Sequence, residues 1–313
     1  MQIGLLEPEN FCPEARAKLA LLGAVHDWSG VDLGDFLASL DVLFVRLAHQ
    51  IDDNLLKLAP QLQWLCSPTT GHTHLDEVAL RVRRVTILSL RGERAFLETI
   101  RPTPEHTFGL IIALLRRYRE VFVDTLAGGW DRDRFRGEAL FGNHVGIIGL
   151  GRVGHRVASY CEAFGAEVYW YDPADVPAEP AWKRMPDISK LIDASRIVVM
   201  SASFKLGQPP LVGRAEIELL SGRYLINTAR GELVDELALL SAIRDGRLAG
   251  VATDVISDEN GANRLAEWRT LADGRNLILT PHIGGATVDA MARTERFIVD
   301  KLAAEIARRE VSA

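Results

Sequence analysis

Short apolar runs alternate with amphipathic segments along almost the whole chain. The apolar runs predict strands at residues 2–6, 42–46, 85–90, 145–148, 167–171, 197–200, 224–227, 250–255 and 277–280. Helical spacing predicts helices at residues 13–22, 53–58, 153–164, 233–245 and 290–309. This alternation of strand and helix is typical of an α/β protein with parallel sheets.

Residue 103 marks the predicted start of a further, long helix. Thr103 is suited to the N-cap, Pro104 to the first helical position and Glu105 to the first turn. Apolar residues follow at helical spacing, at Phe108, Ile111, Ile112 and Leu115.

The run from residue 145 joins an apolar strand to a helix through a Gly-x-Gly-x-x-Gly loop. In a dinucleotide site, Gly149 allows the tight turn, Gly151 lets the backbone approach a pyrophosphate, and Gly154 lets the helix pack close to the strand. The phosphates then lie over the N-terminus of the helix that starts near Arg152.

Asp172 ends the next predicted strand, 23 residues after Gly149. A carboxylate in this place accepts hydrogen bonds from the ribose hydroxyls and repels a 2′-phosphate. Residues 173–175 contain no Arg or Lys, and Lys183 and Arg184 lie too far along the chain to cap such a phosphate. The sequence therefore predicts NAD(H) rather than NADP(H).

Composition and charge exclude several other classes. At 313 residues the chain is long enough for two domains, and its net charge of −6 argues against a nucleic-acid partner. No apolar run reaches the roughly 18 residues of a membrane helix, so we expect no membrane association. Cys12, Cys66 and Cys161 form neither a disulfide framework nor a zinc pattern, and His72 and His74 lack a third ligand. We therefore expect no metal site and a cytoplasmic location.

Three predicted strands in the second half are followed by segments that carry charged side chains, at residues 227–232, 254–259 and 280–285. Open parallel sheets bind ligands at the carboxyl ends of their strands. Arg230, Glu259 and His282 would thus be available at one cleft between two α/β domains. Each of them alone could equally be a surface cation, a helix cap or a structural histidine.

Several segments in this order resemble the D-isomer-specific 2-hydroxyacid dehydrogenase family, close to its phosphoglycerate dehydrogenase-like branch. They are residues 104–110, 129–132, the glycine loop, and residues 227–231, 254–259 and 280–285. The resemblance implies two doubly wound parallel-sheet domains. A Rossmann cofactor domain, residues 100–288, would be inserted into a flavodoxin-like substrate domain formed by residues 1–99 and 289–313. It also implies a homodimer whose interface is formed largely by residues 103–136.

The resemblance further implies roles for individual residues. His282 would protonate the carbonyl oxygen of a 2-oxo acid, and Glu259 would orient the imidazole and favour its protonated form. Arg230 would bind the substrate carboxylate and carbonyl through its planar fork of donors. The implied cofactor contacts are Gly149, Gly151, Arg152, Val153, Gly154, Asp172, Thr228, Ala229, Asp254 and Gly284, with Asp254 beside the nicotinamide ring.

The substrate contacts are implied by position. Thr69, Thr70 and Gly71 match the family's loop whose backbone N–H groups receive the substrate carboxylate. Arg46 and Arg101 match cationic positions, and they could bind a phosphate or a second carboxylate, or be surface arginines. The substrate would be a small D-2-hydroxy acid or 2-oxo acid, with a phosphorylated, phosphonate or dicarboxylate compound as one option.

The sequence departs from the family pattern in two places. Asn260-Gly-Ala follows Glu259 where the family usually has Pro, and Ser201-Ala-Ser-Phe204 replaces a His-x-Pro-Leu run. Glu259 itself argues against the formate dehydrogenase branch, which has Gln. The alternatives that remain are a phosphite-type dehydrogenase and an NAD-sensing protein of the corepressor type on the same scaffold.

Overall fold

The computed structural model describes residues 1–312, which form two compact units. One unit contains Met1–Ile100 and the C-terminal segment that begins at Ala286, and the other is Arg101–Gly285. All three cysteines are buried and free. Within residues 1–312, no helix combines the length and the apolar character needed to cross a membrane.

The strands of the described residues are β1 (Gln2–Leu5), β2 (Ala24–Asp27), β3 (Val42–Phe44), β4 (Trp64–Ser67), β5 (Thr86–Ser89), β6 (His144–Ile148), β7 (Glu167–Tyr171), β8 (Lys183–Arg184), β9 (Ile197–Met200), β10 (Tyr224–Asn227), β11 (Gly250–Thr253) and β12 (Leu277–Leu279). The α-helices are α1 (Pro13–Leu22), α2 (Leu33–Leu37), α3 (Asp53–Lys57), α4 (Glu77–Val82), α5 (Arg94–Leu97), α6 (Pro102–Leu115), α7 (Tyr118–Leu126), α8 (Arg152–Ala163), α9 (Ile188–Ala194), α10 (Arg214–Leu219), α11 (Glu236–Arg244), α12 (Leu265–Ala272) and α13 (Val288–Ser312). A short 3-10 helix covers Gly231–Leu233.

The first unit has a parallel five-stranded sheet in the order β2-β1-β3-β4-β5. This is the flavodoxin-like order, in which chain connections reverse direction between β1 and β3. Two buried clusters of apolar residues belong to this unit, and α1 and α13 contribute to one of them.

The second unit has a parallel seven-stranded sheet in the order β12-β11-β10-β9-β6-β7-β8. This is the Rossmann order, with the reversal between β6 and β9. Successive residues of β6 enter opposite cores, with Ile147 in one cluster and Ile148 in the other. Both faces of the sheet are therefore covered, which explains why its central strands are continuous apolar runs. The expected α/β class with two parallel sheets is confirmed.

Helix α6 begins earlier than the sequence pattern predicted. Arg101, not Thr103, is the N-cap, and Pro102 rather than Pro104 is the first helical residue. Pro102 is suited to that position because its fixed φ is helical and the first helical residue needs no N–H donor. Thr103 lies inside the helix, where its carbonyl oxygen accepts a hydrogen bond from the hydroxyl of Thr107.

Candidate active site

The glycine loop connects β6 to α8 at the reversal point of the second sheet. Gly149 has a φ of +90°, and a Cβ there would lie 2.6 Å from the backbone nitrogen of Ala202. A Cβ on Gly154 would lie 2.1 Å from the carbonyl oxygen of Gly149. A Cβ on Gly151 would meet nothing within 4 Å. The first and third glycines are thus required by packing within the chain, whereas Gly151 borders open space.

Helix α8 presents its N-terminus at this open space. Gly151 is the N-cap and offers no side-chain acceptor to the first N–H groups of the helix, which begins at Arg152. Val153 packs against the core, so in the first turn the backbone is left to meet a ligand. The N–H groups of the first turn and the helix dipole together favour an anion at this point.

Asp172 lies directly beside the glycine loop. Its Oδ2 accepts a hydrogen bond from the backbone N–H of Leu150 (3.0 Å), and its Oδ1 accepts one from Ala174 (2.9 Å). The carboxylate follows the C-terminal end of β7, the strand next to β6. This is the place where a dinucleotide presents its adenosine ribose in such folds.

Arg184, expected to lie too far along the chain to cap a 2′-phosphate, lies close to Asp172 in the structure. Strand β8 runs parallel to β7 and pairs Trp170 with Arg184, which returns the arginine to the end of β7. Its Nη2 donates to the carbonyl oxygens of Asp172 (3.2 Å) and Ala174 (3.0 Å). Lys183, in contrast, pairs with Glu167 at the start of β7 (2.7 Å).

Ser201 supports the interpretation of this region as a cofactor site. It follows β9, and its backbone N–H bonds to the carbonyl oxygen of Ile148 (2.8 Å), immediately before the glycine loop. Its hydroxyl oxygen is buried and has no hydrogen-bond partner in the described residues. A buried hydroxyl without a partner is costly. This unpaired hydroxyl, the open cradle at Gly151 and the acid at Asp172 fit a dinucleotide.

His282 and Glu259 are in direct contact. The His282 Nδ1 lies 2.6 Å from the Glu259 Oε2, and both side chains are half-buried. His282 has a φ of +54°, an uncommon backbone conformation for a residue with a side chain. Its backbone N–H donates to the carbonyl oxygens of Asp254 (2.8 Å) and Thr280 (3.1 Å), which hold it there.

The buried Asp254 carboxylate fastens the segment on both sides of His282. Its Oδ1 accepts from the Thr280 hydroxyl (2.6 Å) and the Ile283 N–H (2.9 Å), and its Oδ2 accepts from the Gly284 N–H (2.8 Å). Burial by itself raises the pKa of the Asp254 carboxyl, but the hydrogen bonds, that from His106 first among them, bring this pKa below its ordinary value. The group is therefore an anion near neutral pH.

Arg230 follows β10 and is half-buried, with its Nη1 donating to the carbonyl oxygen of Ala229 (2.6 Å). Burial lowers the pKa of the guanidinium from its ordinary value, and the nearby Glu259 and Glu232 oppose this change. An arginine remains charged under these conditions. The preceding Thr228 hydroxyl contacts the Thr107 hydroxyl (2.6 Å).

The Arg230 segment and the Glu259 segment pack tightly against each other. A Cβ on Gly231 would lie 2.1 Å from the carbonyl carbon of Ile256. The Glu236 carboxylate accepts the N–H of Ser257 (3.2 Å). The three charged side chains predicted from separate strand ends thus belong to one set of packed segments in the second unit.

After Glu259, where the family usually has Pro, the chain forms a turn around Asp258. Asp258 has a φ of +52°, and its Oδ2 accepts the N–H of Ala262 (2.9 Å). A Cβ on Gly261 would lie 2.4 Å from the Asp258 carboxylate. Gly261 is therefore needed for this turn, which leaves Glu259 in contact with His282.

Among the predicted substrate contacts, Arg46 and Thr69 have partners within the first unit. Arg46 donates to the Glu295 Oε1 from Nη2 (2.7 Å) and from Nε (3.2 Å), and to the Glu9 carbonyl oxygen from Nη1 (2.9 Å). Thr69 donates to the carbonyl oxygen of Gly71 (3.0 Å) in the loop after β4. Thr70 in the same loop is exposed.

Arg101 belongs to the second unit and is exposed. Its carbonyl oxygen accepts the N–H of Glu105 (3.2 Å), whereas its side chain makes no hydrogen bond or ion pair within residues 1–312. Sequence reasoning missed four polar residues of these sites: His106, Thr107, Ser201 and Glu295. His106 is part of a segment that the family resemblance included, and this was a signal that could have identified it. Glu295 gave no signal, because it lies on a long amphipathic helix among other charged residues.

The strand order, the glycine loop at the reversal point and the acid after the neighbouring strand define an α/β dinucleotide-binding protein. A family model described as D-isomer specific 2-hydroxyacid dehydrogenase, NAD binding domain, matches residues 108–284, more than half of the chain. The chain therefore belongs to the D-isomer specific 2-hydroxyacid dehydrogenase family and carries its NAD-binding domain.

Individual relatives differ in name and in length. D-3-phosphoglycerate dehydrogenase of Mycobacterium leprae is 32% identical over 289 residues, which cover 89% of this chain and 53% of that protein. Hydroxypyruvate reductase of Thermotoga maritima is 26% identical over 280 residues, 88% of each chain. The chain thus spans about half the length of the curated phosphoglycerate dehydrogenases it matches.

The fold is shared with solved structures. The crystal structure of D-lactate dehydrogenase from Aquifex aeolicus, complexed with NAD and lactic acid, has a TM-score of 0.85 to this chain. The match covers 98% of this chain and 96% of that one at 23% identity, so it shows the fold.

Proposed function

We propose that this protein transfers a hydride between NAD(H) and a small D-2-hydroxy acid/2-oxo acid pair. The observation that carries the proposal is the His282–Glu259 contact, packed with Arg230 in the unit that carries the NAD-binding domain. An acid–base histidine, a carboxylate that orients it and a permanent cation are what reduction of a charged 2-oxo acid requires.

The proposed mechanism divides the work among these residues. Arg230 binds the substrate carboxylate and polarises its carbonyl group. Glu259 engages Nδ1 of His282, so the imidazole presents Nε2–H to the carbonyl oxygen and gives up that proton as the alcohol forms. In the opposite direction Nε2 accepts the hydroxyl proton. Bound NADH supplies the hydride.

In this proposal the cofactor is held by the glycine loop and the residues around it. The α8 N-terminus at Gly151, Arg152 and Val153 meets the pyrophosphate. Asp172 accepts from the ribose hydroxyls. The predicted contacts on the nicotinamide side are Thr228, Ala229, Asp254 and Gly284. A Cβ on Gly284 would lie 3.0 Å from the Asp254 Oδ2.

We further propose that Arg46 binds no second anionic group of the substrate. Of the two cations considered for such a group, Arg46 is neutralised by Glu295, whose side chain is 1% exposed. Glu295 also accepts the N–H of Cys12 (2.7 Å), and Glu7 accepts the N–H of Arg46 (2.9 Å). Three of the five N–H donors of the Arg46 guanidinium are thus occupied by Glu295 and the Glu9 carbonyl, and its charge is paired, so it is poorly suited to bind a phosphate.

The first test follows NADH oxidation with a panel of 2-oxo acids. We expect turnover with pyruvate, glyoxylate or hydroxypyruvate to exceed that with phosphohydroxypyruvate, phosphonopyruvate or oxaloacetate. Preference for the second group, lost in Arg101→Ala, would overturn the substrate class but keep the dehydrogenase. Absence of turnover with every acid, with NADH still bound, would instead favour a binding role.

Asp172 is expected to determine the preference for NADH over NADPH. Arg184 is expected to bind the 2′-phosphate of NADPH once the Asp172 charge is removed. Replacing Asp172 with Asn removes the repelling charge and retains an acceptor for the Leu150 N–H. Arg184 already lies beside this position, and its ion pair with Asp175 (3.1 Å) is exposed to solvent and therefore weak. We expect NADPH to bind about tenfold more tightly, a change of ~1.4 kcal/mol. Fluorescence titration with NADPH and NADH measures this effect.

The controls for this prediction lie on the same short strand. Adding Arg184→Ala to Asp172→Asn should abolish most of the gain in NADPH affinity. Adding Lys183→Ala should not, because Lys183 pairs with Glu167 at the other end of β7. Equal effects of the two additions would show that Arg184 contributes only general charge.

We propose a homodimer, as predicted for the region 103–136. Helix α7 has no buried residue, and its apolar Phe122, Val123 and Leu126 are exposed. Leu126→Glu is expected to convert the dimer to a monomer in light scattering after gel filtration, since a charge cannot be buried unpaired in an apolar interface. Leu206→Glu is the matched control, since Leu206 is 95% exposed outside this region. A monomeric wild type, or dimers in both variants, would contradict this interface.

Two further predictions do not depend on these contacts. We propose that residues 100–288 form the cofactor-binding domain, and that residues 1–99 and 289–313 form the substrate-binding domain. The cytoplasmic location stays a prediction of the sequence.

A further inference from the structure

Two adjacent residues near the start of α6 contact two different segments of the proposed active site. His106 Nε2 lies 3.2 Å from the Thr280 hydroxyl and 3.4 Å from the Asp254 Oδ1. The Thr107 hydroxyl contacts the Thr228 hydroxyl (2.6 Å). One contact therefore reaches the segment of His282, and the other reaches the segment of Arg230.

The direction of the first chain of hydrogen bonds follows from the number of available protons. The Thr280 hydroxyl has one proton and donates it to Asp254 (2.6 Å). It can therefore only accept from His106, which must carry a proton on Nε2. Asp254 in turn receives the N–H groups of Ile283 and Gly284. His106 thus fastens one end of a network that surrounds His282.

The same argument applies to the second chain. The Thr107 hydroxyl donates to the carbonyl oxygen of Thr103 (2.7 Å), so it must accept from Thr228. Both threonines are buried, where an unpaired hydroxyl is costly. The Arg230 segment is fastened a second time by Asn227, whose side chain bonds to the N–H of Ala229 (3.0 Å) and the carbonyl oxygen of Arg230 (2.9 Å).

We infer that His106 and Thr107 are separate positioning residues, His106 for the acid–base histidine and Thr107 for the carboxylate-binding arginine. Neither residue needs to touch the substrate. This inference rests on the proposed function, because it divides positioning between proton transfer and substrate binding. It gives a functional reason for two polar residues, His106 and Thr107, near the start of α6. The buried positions of this helix are otherwise apolar.

The two roles predict losses in different kinetic parameters, kcat for His106 and KM for Thr107. His106→Leu should lower kcat about tenfold with little change in KM, because the His282 segment loses one partly buried hydrogen bond. Thr107→Val, which keeps the shape, should raise KM for the 2-oxo acid about tenfold with little change in kcat. His106→Gln and Thr107→Ser retain a donor and a hydroxyl, respectively, and should recover most of each loss.

A control and a second readout separate positioning from general stability. Leu110→Val removes a methylene group from the core packing of α6 and should lower the melting temperature. It should affect neither kcat nor KM selectively. In the protein without cofactor, proton NMR should show a downfield ring N–H of the short His282–Glu259 hydrogen bond, identified by its loss in His282→Asn. This signal should broaden through faster exchange with water in His106→Leu and remain sharp in Thr107→Val and Leu110→Val.

Each outcome decides one question. An unchanged NMR signal in His106→Leu, or kinetic losses that follow the melting temperature in all variants, would overturn the positioning roles. If the wild type reduces no 2-oxo acid, the proposed function fails, and the NMR comparison alone still decides whether His106 positions His282.

Discussion

Replacing His282 with Ala is expected to lower kcat by roughly 10²–10⁴-fold, the usual contribution of a positioned acid–base group. The affinity for NADH should hardly change, because the contacts proposed for the pyrophosphate and ribose lie at the glycine loop and Asp172. Stopped-flow reduction of the preferred 2-oxo acid gives kcat, and quenching of protein fluorescence gives the NADH affinity. The effect is expected to be large because the substitution removes the ring that Glu259 orients, and with it the proposed proton donor.

Glu259→Gln is the matched variant for this prediction. It keeps the shape and the hydrogen-bonding ability but removes the charge that favours the imidazolium. We expect a smaller loss than for His282→Ala, because the amide oxygen of Gln can still accept the hydrogen bond from Nδ1 and orient the ring. Turnover that survives in His282→Ala would disprove the mechanism, whatever its cause.

The second large effect is expected at Gly151. A Cβ there meets no atom within 4 Å, and the residue has a φ of −77°, which alanine readily adopts. Gly151→Ala should therefore leave the melting temperature of the cofactor-free protein unchanged. It should weaken NADH binding at least about tenfold, or ~1.4 kcal/mol, because the methyl group occupies the space for the pyrophosphate.

Two other glycines complete this experiment. Gly149→Ala should lower stability as well as binding, since Gly149 has a positive φ and its Cβ would lie 2.6 Å from the Ala202 backbone. Gly109 on α6 also has open space at its Cβ position, and Gly109→Ala should not weaken NADH binding. Undiminished NADH affinity in Gly151→Ala would refute the proposed location of the pyrophosphate.

The features that follow from local sequence were predicted well. Strand β6, the glycine loop and helix α8 could be predicted, because an apolar strand followed by glycines at fixed spacing is a local sequence pattern. The fold class and the family followed from several such segments in order, and both are confirmed. Helix α6 was predicted with its start displaced, because two prolines compete for the first helical position and the pattern around Thr103 resembles an N-cap.

Contacts between distant or weakly patterned segments could not be predicted. Strand β8 has only two residues, both exposed and charged, so no apolar run announced it. Without this strand, Arg184 was placed away from Asp172. Likewise, Arg46 and Glu295 are separated by 249 positions, and nothing near Arg46 indicates that a buried carboxylate on α13 neutralises it.

The chain's own pattern of residues was sufficient for the α/β class, the dinucleotide loop and the presence of Arg230, Glu259 and His282 after three strands. These depend on local backbone conformation and on apolar periodicity, which each segment carries by itself. Which charges remain available depends instead on the packing of segments far apart in the chain. Pairing of β8 with β7 brings Arg184 to Asp172, α13 supplies Glu295 to Arg46, and α6 brings His106 to Thr280 across 174 positions. Electrostatic partners are chosen by distance in space, and this is why only the folded chain distinguishes a free cation from a neutralised one.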